Sequence, residues 1–493
     1  MRQLYSKKLT KFSKKLFVII LITNTILSSC SKDETKTPLN NSVIQTKGSI
    51  SGTVKDGNNN LVGAIVILKQ TGQTDKSFTT DSNGIFEFKD IEKGSISLIC
   101  TFSTYITQTI SASIIGGQNV NLPILMGGDL TILTLIPDSK FEAKLINFGY
   151  DSGAINGSVP TFNISKITNL NVNDSGISDL TGIQDFIALE SLDCSNIYGT
   201  SIVKFTSLDI SKNIALKTLN CSFNKISTLD ISKNILLTSL KCSSNLLSSI
   251  DVTSHKALTL LWCDRNPLIT NVDTTQNLLL TDLGVSGNPL INLDISKNLK
   301  LLSLICADCK LNNLDVTKNI SLKTLWCNSN KIVNLDVTKN IDLITLFCDG
   351  NDLTNINLSF NTKLVKLFCT SNKLNSLNIV NNTLLDELRC GSNFITVLDL
   401  SKNVNLKFIG CSSNKLTTLD ISKNILLAGT FGGLLCNNNL LTTLNVKNGN
   451  NLNLRGNFTN NSSFLLIAVD DVIYSNTSWQ YYKDPSATFV SSL

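Results

Sequence analysis

The chain has 493 residues, 42% hydrophobic and only 16% charged, with 14 cysteines and one histidine. That length excludes a single small domain. The formal charge of +6 is carried by Arg2, Lys7, Lys8, Lys11, Lys14 and Lys15, with no acid before residue 30, so the remainder is neutral and a basic nucleic-acid surface is excluded.

Residues 1–29 read as a targeting signal. A positive start precedes an apolar run from Leu16 to Leu27, shorter than the roughly 20 residues a membrane span needs. Small residues then lead to a cleavage point, as in a secretory signal peptide. The stretch Leu27-Ser28-Ser29-Cys30 resembles the bacterial lipobox. That resemblance implies acylation of Cys30, and several acyl chains would give a stable anchor. Ser31-Lys32-Asp33-Glu34 resembles the acidic export signal of surface lipoproteins in Bacteroidetes. The expectation is an outer-membrane protein, lipid-anchored and exposed at the cell surface. Residues 30–46 are polar and read as the tether.

From 47 to 127 short apolar alternations are punctuated by turn residues, which predicts a small β-sandwich. Gly52-Thr53-Val54, Val62-Gly63-Ala64, Thr80-Asp81 with Gly84 and Phe86, and Phe102-Ser103-Thr104-Tyr105 resemble the carboxypeptidase regulatory-like family. The resemblance implies a seven-stranded spacer with no peptidase site, and it makes Asp81 a turn residue.

Residues 128–185 are not periodic. Asp138, followed by Phe141, Leu145 and Phe148, offers an N-cap and apolar spacing for a short helix. Such a helix would cover the open first coil of whatever repeat follows.

The repeat runs from 186 to 448. Its cysteines stand at 194, 221, 242, 263, 306, 327, 348, 369, 390, 411 and 436, mostly 21 residues apart, with Val285 in the one gap. A fixed period of this kind, with Leu and Asn at fixed offsets, marks a solenoid. The pattern Leu-x-x-Leu-x-Cys-x-x-Asn-x-Leu resembles the nested 21-residue class of bacterial leucine-rich repeats, and Ile177 to Cys194 resembles the start of internalin-type arrays. The fold class expected is mainly β: a sandwich, a helical cap, then about twelve coils with short strands on both sides. At the strand spacing of about 4.8 Å such a rod is roughly 55–60 Å long and weakly curved. Insertions at 197–205 and 428–433 lengthen two coils and should leave the stack as loops. Residues 449–493 close the array, without the cysteine pair common in related caps.

A cysteine alternating with leucine in a strand points into the core, where a free thiol behaves as a small hydrophobe. A reduced, buried ladder is therefore expected rather than a disulfide framework. One column of Asn, from Asn224 to Asn439, is placed to satisfy backbone groups at the bends. Cys309 takes this column's place, so Cys306-Ala307-Asp308-Cys309 only imitates a redox motif. His255 stands in a second Asn column and reads as a turn residue.

The solvent-facing residue before each cysteine varies: Lys241, Trp262, Gly284, Ile305, Trp326, Phe347, Phe368, Arg389 and Gly410. Trp262, Ile305, Trp326, Phe347, Phe368 and Arg389 form the candidate ligand face, since Trp, Tyr and Arg dominate binding energies. The competing reading is that the rings stack on one another to stiffen the sheet. A row of aspartates from Asp209 to Asp420 reads as a charge stripe paired with Lys three residues on. No positioned His, zinc cluster, P-loop or dinucleotide motif is present, so no catalytic, cofactor or metal residue is assigned. The reading is a non-catalytic adhesion module with a protein or glycan partner. A passive surface spacer is the alternative, and a polysaccharide-active enzyme a more distant one.

Overall fold

A computed structural model describes residues 45–56, 59–103, 105–197, 204–428 and 433–493. The leader, Cys30 and all but the end of the tether lie outside these residues, as do most of the two insertions.

Two sheets form the first domain. Lys47–Asp56 pairs antiparallel with Ile85–Glu92 and parallel with Asn119–Asn121 and Ile124–Leu125. The other sheet runs in the order Lys76–Thr79, Ile65–Lys69, Gly94–Thr101, Gln108–Ile114, antiparallel throughout. Alternate residues such as Ile50, Val54, Val66, Phe86 and Leu98 meet between the sheets and are buried. The described residues contain nine strands here rather than seven, because the two-residue pieces Asn59–Asn60 and Ile124–Leu125 add to the first sheet. Asp81 accepts the backbone N–H groups of Asn83 and Ile85, both at 2.9 Å, where Gly84 turns the chain at φ +69. Its role is the turn.

The helix Ser139–Phe148 is capped by Asp138, whose Oδ1 accepts the N–H of Lys140 and Phe141. The other oxygen of Asp138 accepts the N–H and hydroxyl of Ser178, tying the helix to the start of the array. Phe141 and Leu145 are buried, with the Phe141 ring 6.3 Å from that of Phe186. The helix thus covers the first coil with its apolar side.

Fourteen strands of the described residues form one parallel sheet, from Asn169–Asn171 to Gly456–Asn457. The ladder therefore reaches two rungs beyond the expected dozen, one inside 128–185 and one inside 449–493. Register is identical from coil to coil: Leu325 pairs with Leu346, and Leu346 with Leu367. Each central leucine is buried, and each such burial contributes roughly 1.5–3 kcal/mol.

Among the described residues, strands on both sides occur only near the C-terminal end, where Thr418–Asp420, Thr443–Asn445, Leu466–Ala468 and Thr488–Val490 form a second sheet. Upstream the second half-coil satisfies its backbone differently. Asp230 Oδ1 accepts the Ser232 N–H at 2.9 Å, and the Ile231 carbonyl accepts the Asn234 N–H at 2.8 Å. The Asn234 amide then donates to the Ile210 and Asn213 carbonyls of the preceding coil. Side-chain amides take the place of a strand ladder there. The aspartate row serves the same turns, and hydrogen bonds from Ser232 hold the Asp230 carboxyl below the usual range. The expected pairing with Lys three residues on does not occur as an ion pair among the described residues.

The array ends on an aromatic cluster instead of a disulfide. Trp479, after the helix Val472–Ser478, is fully buried with the rings of Phe458, Tyr482 and Phe489 at 6.0–6.2 Å.

Candidate ligand-binding face

All thirteen cysteines among the described residues are free and buried. Burial pushes the thiols of Cys221, Cys309 and Cys411 up to about 12, so they stay protonated and weakly nucleophilic. Asn351 shows the first column at work: its amide donates to the Cys327 and Cys348 carbonyls at 3.0 Å, and its oxygen accepts the Ile332 N–H. At Cys309 the thiol donates to the Val285 carbonyl at 3.3 Å in place of that amide. His255 is buried, with Nε2 3.1 Å from the Ile231 carbonyl, as an Asn amide would be. These groups hold the coil together and face no ligand.

The variable residue before each cysteine ends its strand and lies beside its counterpart on the next rung. Trp262 pairs with Gly284, Gly284 with Ile305, Ile305 with Trp326, and Trp326 through Phe347 and Phe368 to Arg389. Side chains divide this row into two halves. In the C-terminal half Trp326 stacks on Phe347 at 5.1 Å, and Phe347 on Phe368 at 4.0 Å with planes 7° apart. The Arg389 guanidinium then covers Phe368 at 4.7 Å and Phe408 at 4.9 Å. Glu387 accepts from Arg389 at 2.7 Å and from Lys366 at 3.1 Å. Burial opposes its ionisation, but these bonds prevail and hold its carboxyl below the usual range. This half is largely occupied with itself.

The N-terminal half is open. A groove of about 680 Å³ crosses the strands, bounded by Trp262, Ile305, Trp326 and Phe347 and by a margin of Ser and Asn. Trp262 and Trp326 are each 37% exposed. Gly284, buried, stands between Trp262 and Ile305 in the row. A Cβ there would lie 2.8 Å from Asp264 Oδ2 and 3.1 Å from Trp262 Cδ1, so both side chains depend on its absence. Lys241 Nζ sits 4.4 Å from the Trp262 ring centre, a cation–π contact that fixes one end.

Two features of the groove were not singled out as site residues from sequence. Asp264 accepts the Ser286 N–H at 2.8 Å and the Ser243 hydroxyl at 3.0 Å, while burial raises its carboxyl above the usual range. The column after each cysteine is mostly small, as at Ser222, Ser243, Ser286 and Ala307, and carries a carboxylate at Asp264 and again at Asp349. The second feature is a left-handed column held on other coils by residues such as Gly287, Ser329, Gly350 and Ser371. In the groove it carries Phe223 at φ +62 and Arg265 at φ +54. Such backbone is costly for bulky residues and concentrates where function needs it.

Among the described residues no helix is long and apolar enough to cross a membrane, and no group of three His, Cys, Asp or Glu is placed to hold a metal ion.

Residues 49–127 match the family of carboxypeptidase regulatory-like domains. No curated protein matches the chain. Among solved structures, the functional domain of InlJ from Listeria monocytogenes, described as including a cysteine ladder, is 28% identical over 69% of this chain and 77% of that one, with a TM-score of 0.54. The internalin InlF from the same organism is 20% identical over 73% and 97%, with a TM-score of 0.51. A TDR receptor is 20% identical over 62% of each chain, with a TM-score of 0.52. The last two likenesses show the fold alone. The chain carries a carboxypeptidase regulatory-like domain followed by a leucine-rich-repeat solenoid similar to that of internalins.

Proposed function

We propose that the chain is a non-catalytic, protein-binding adhesion module, lipid-anchored through Cys30 at a bacterial outer membrane and exposed at the cell surface. It takes its partner in the groove between Trp262 and Trp326. The observation that carries this reading is the groove itself: two exposed indoles stand either side of Ile305, with Asp264, Arg265 and Lys241 beside them. Aromatic and arginine anchors around a partly desolvated centre are the composition of binding hot spots. The similarity to InlJ and the repeat architecture support a binding role. The groove is lined by one carboxylate, the half-buried Asp264, and no histidine, which does not match the paired acid and base of a hydrolase. A passive structural role is favoured only for the C-terminal half of the row, where the rings stack on one another.

The test is capture from envelope, host and matrix material by the purified chain, compared with its Trp262→Ala and Trp326→Ala variants. Retention of one protein by the parent and its loss from both folded variants supports the reading. Equal retention by all three, or none by any, contradicts it. The anchor rests on the leader sequence alone, and labelling with a clickable fatty acid checks it: the parent incorporates label and Cys30→Ser does not.

A further inference from the structure

The groove between Trp262 and Trp326 has a margin charged with one sign. On the six coils from Asn220 to Trp326 the first Asn column is followed by Lys225, Leu246, Pro267, Pro289, Lys310 and Lys331, with no acid among them. The three lysines are exposed and form no ion pair among the described residues. Further along the ladder the same column carries Asp352 and Lys373, which pair with each other at 2.7 Å. Lys241 and Arg265 add positive charge inside the groove. Against them stand Asp264, half-buried and already accepting from Ser243 and Ser286, and the exposed Asp308. The chain beyond its leader is neutral, so the excess is local to this face.

The indoles restrict what can enter. Lys241 lies over one face of Trp262, and Phe347 stacks on one face of Trp326 with planes 19° apart. Each of these neighbours is the next rung outward, so the rings stand across the ladder with their edges to solvent. Their other faces are turned inward, toward Ile305. Upright rings receive side chains that come in from above, whereas a sugar stacks on a ring lying flat on the surface. Three rungs of about 4.8 Å set Trp262 and Trp326 about 14 Å apart, close to the roughly 13 Å between side chains four residues apart on an extended chain.

We propose that the partner presents to this face an extended, acidic peptide segment. Its apolar side chains enter between the indoles, and its carboxylates meet Lys225, Lys310 and Lys331. This rests on the groove being a binding site and adds the chemistry of the partner. Charges at a rim steer the encounter and set its salt dependence, while the aromatic anchors hold the complex.

A displayed library of random short peptides, selected on the full chain, tests this. The expected sequences are rich in Asp and Glu, with aromatic or aliphatic residues two or four apart. For a selected peptide, Lys310→Glu with Lys331→Glu slows association, weakens binding roughly tenfold or more and removes most of its salt dependence. Trp262→Ala speeds dissociation by a similar factor. The same peptide with Lys in place of its acids binds the double variant better than it binds the parent. Unchanged far-UV circular dichroism confirms that these exposed variants fold. Selected peptides that need Trp262 but are neutral or basic overturn the acidic assignment and leave the groove a binding site. Absence of any enriched peptide, or peptides indifferent to the lysine variant, overturns the proposal too; capture of a protein by the parent would then still support the binding reading. Heparin bound as tightly as the peptides, and equally by Trp262→Ala, assigns the margin to a polyanionic polymer and overturns it.

Discussion

The rings of Phe347 and Phe368 lie 4.0 Å apart and within 7° of parallel, with Arg389 closing the stack. They are thereby partners for each other first. Phe368→Ala should destabilise the solenoid, because it removes a ring from the stack and uncovers Arg389. The cost is about 0.5–1.5 kcal/mol beyond the lost burial, the usual value of an aromatic pair. Chemical denaturation measures it, and an unchanged midpoint would show the stack to be incidental.

His255 occupies an Asn position and makes one of that position's bonds, to the Ile231 carbonyl. At the equivalent place Asn319 makes two, to the Ile295 and Asn298 carbonyls at 3.0 and 2.9 Å. His255→Asn should therefore hold or raise stability, while His255→Leu leaves a buried carbonyl unsatisfied at a cost of about 1–3 kcal/mol. A folded, equally stable Leu variant would contradict the structural role.

The cysteine ladder should be inert in the folded protein. Its thiols are buried, and those of Cys221 and Cys411 are pushed up to about 12. A thiol-reactive dye at mildly alkaline pH should label none of the thirteen described cysteines until denaturant is added. Rapid labelling of the native chain would place some of these thiols at the surface.

Asp264 gives a pH dependence with a definite sign. Its folded pKa is raised by burial, above the unfolded value of about 3.9. Its favourable contribution is thus present below the unfolded pKa and lost as pH rises through the folded one. Asp264→Asn should melt at a higher temperature than the parent at neutral pH, and the advantage should vanish in acid. An advantage that persists in acid, or a parent more stable at neutral pH, contradicts this.

Most of the fold was legible because a 21-residue period constrains every coil alike. Leu325, Cys327 and Asn330 each report a place in the core or at a bend, and the helix cap at Asp138 follows from spacing. The second half-coil reads as strand in the sequence but upstream is none, since Asp230 and Asn234 satisfy the backbone through side chains, which a strand-like Leu-Asp-Ile pattern conceals. The site was half legible. Exposure of the row followed from alternation, but its division did not. Whether Phe347 faces a ligand or Phe368 depends on ring geometry, and the groove depends on what Gly284 lacks.

The central claim is that the partner is bound between Trp262 and Trp326 rather than on the far end of the stack at Phe368 and Arg389. The most direct measurement is the dissociation constant of the captured protein for the parent, Trp262→Ala and Phe368→Ala. The account predicts at least a roughly tenfold loss for Trp262→Ala, as expected of a hot-spot aromatic, and little change for Phe368→Ala. Loss for Phe368→Ala with Trp262→Ala unaffected would contradict it.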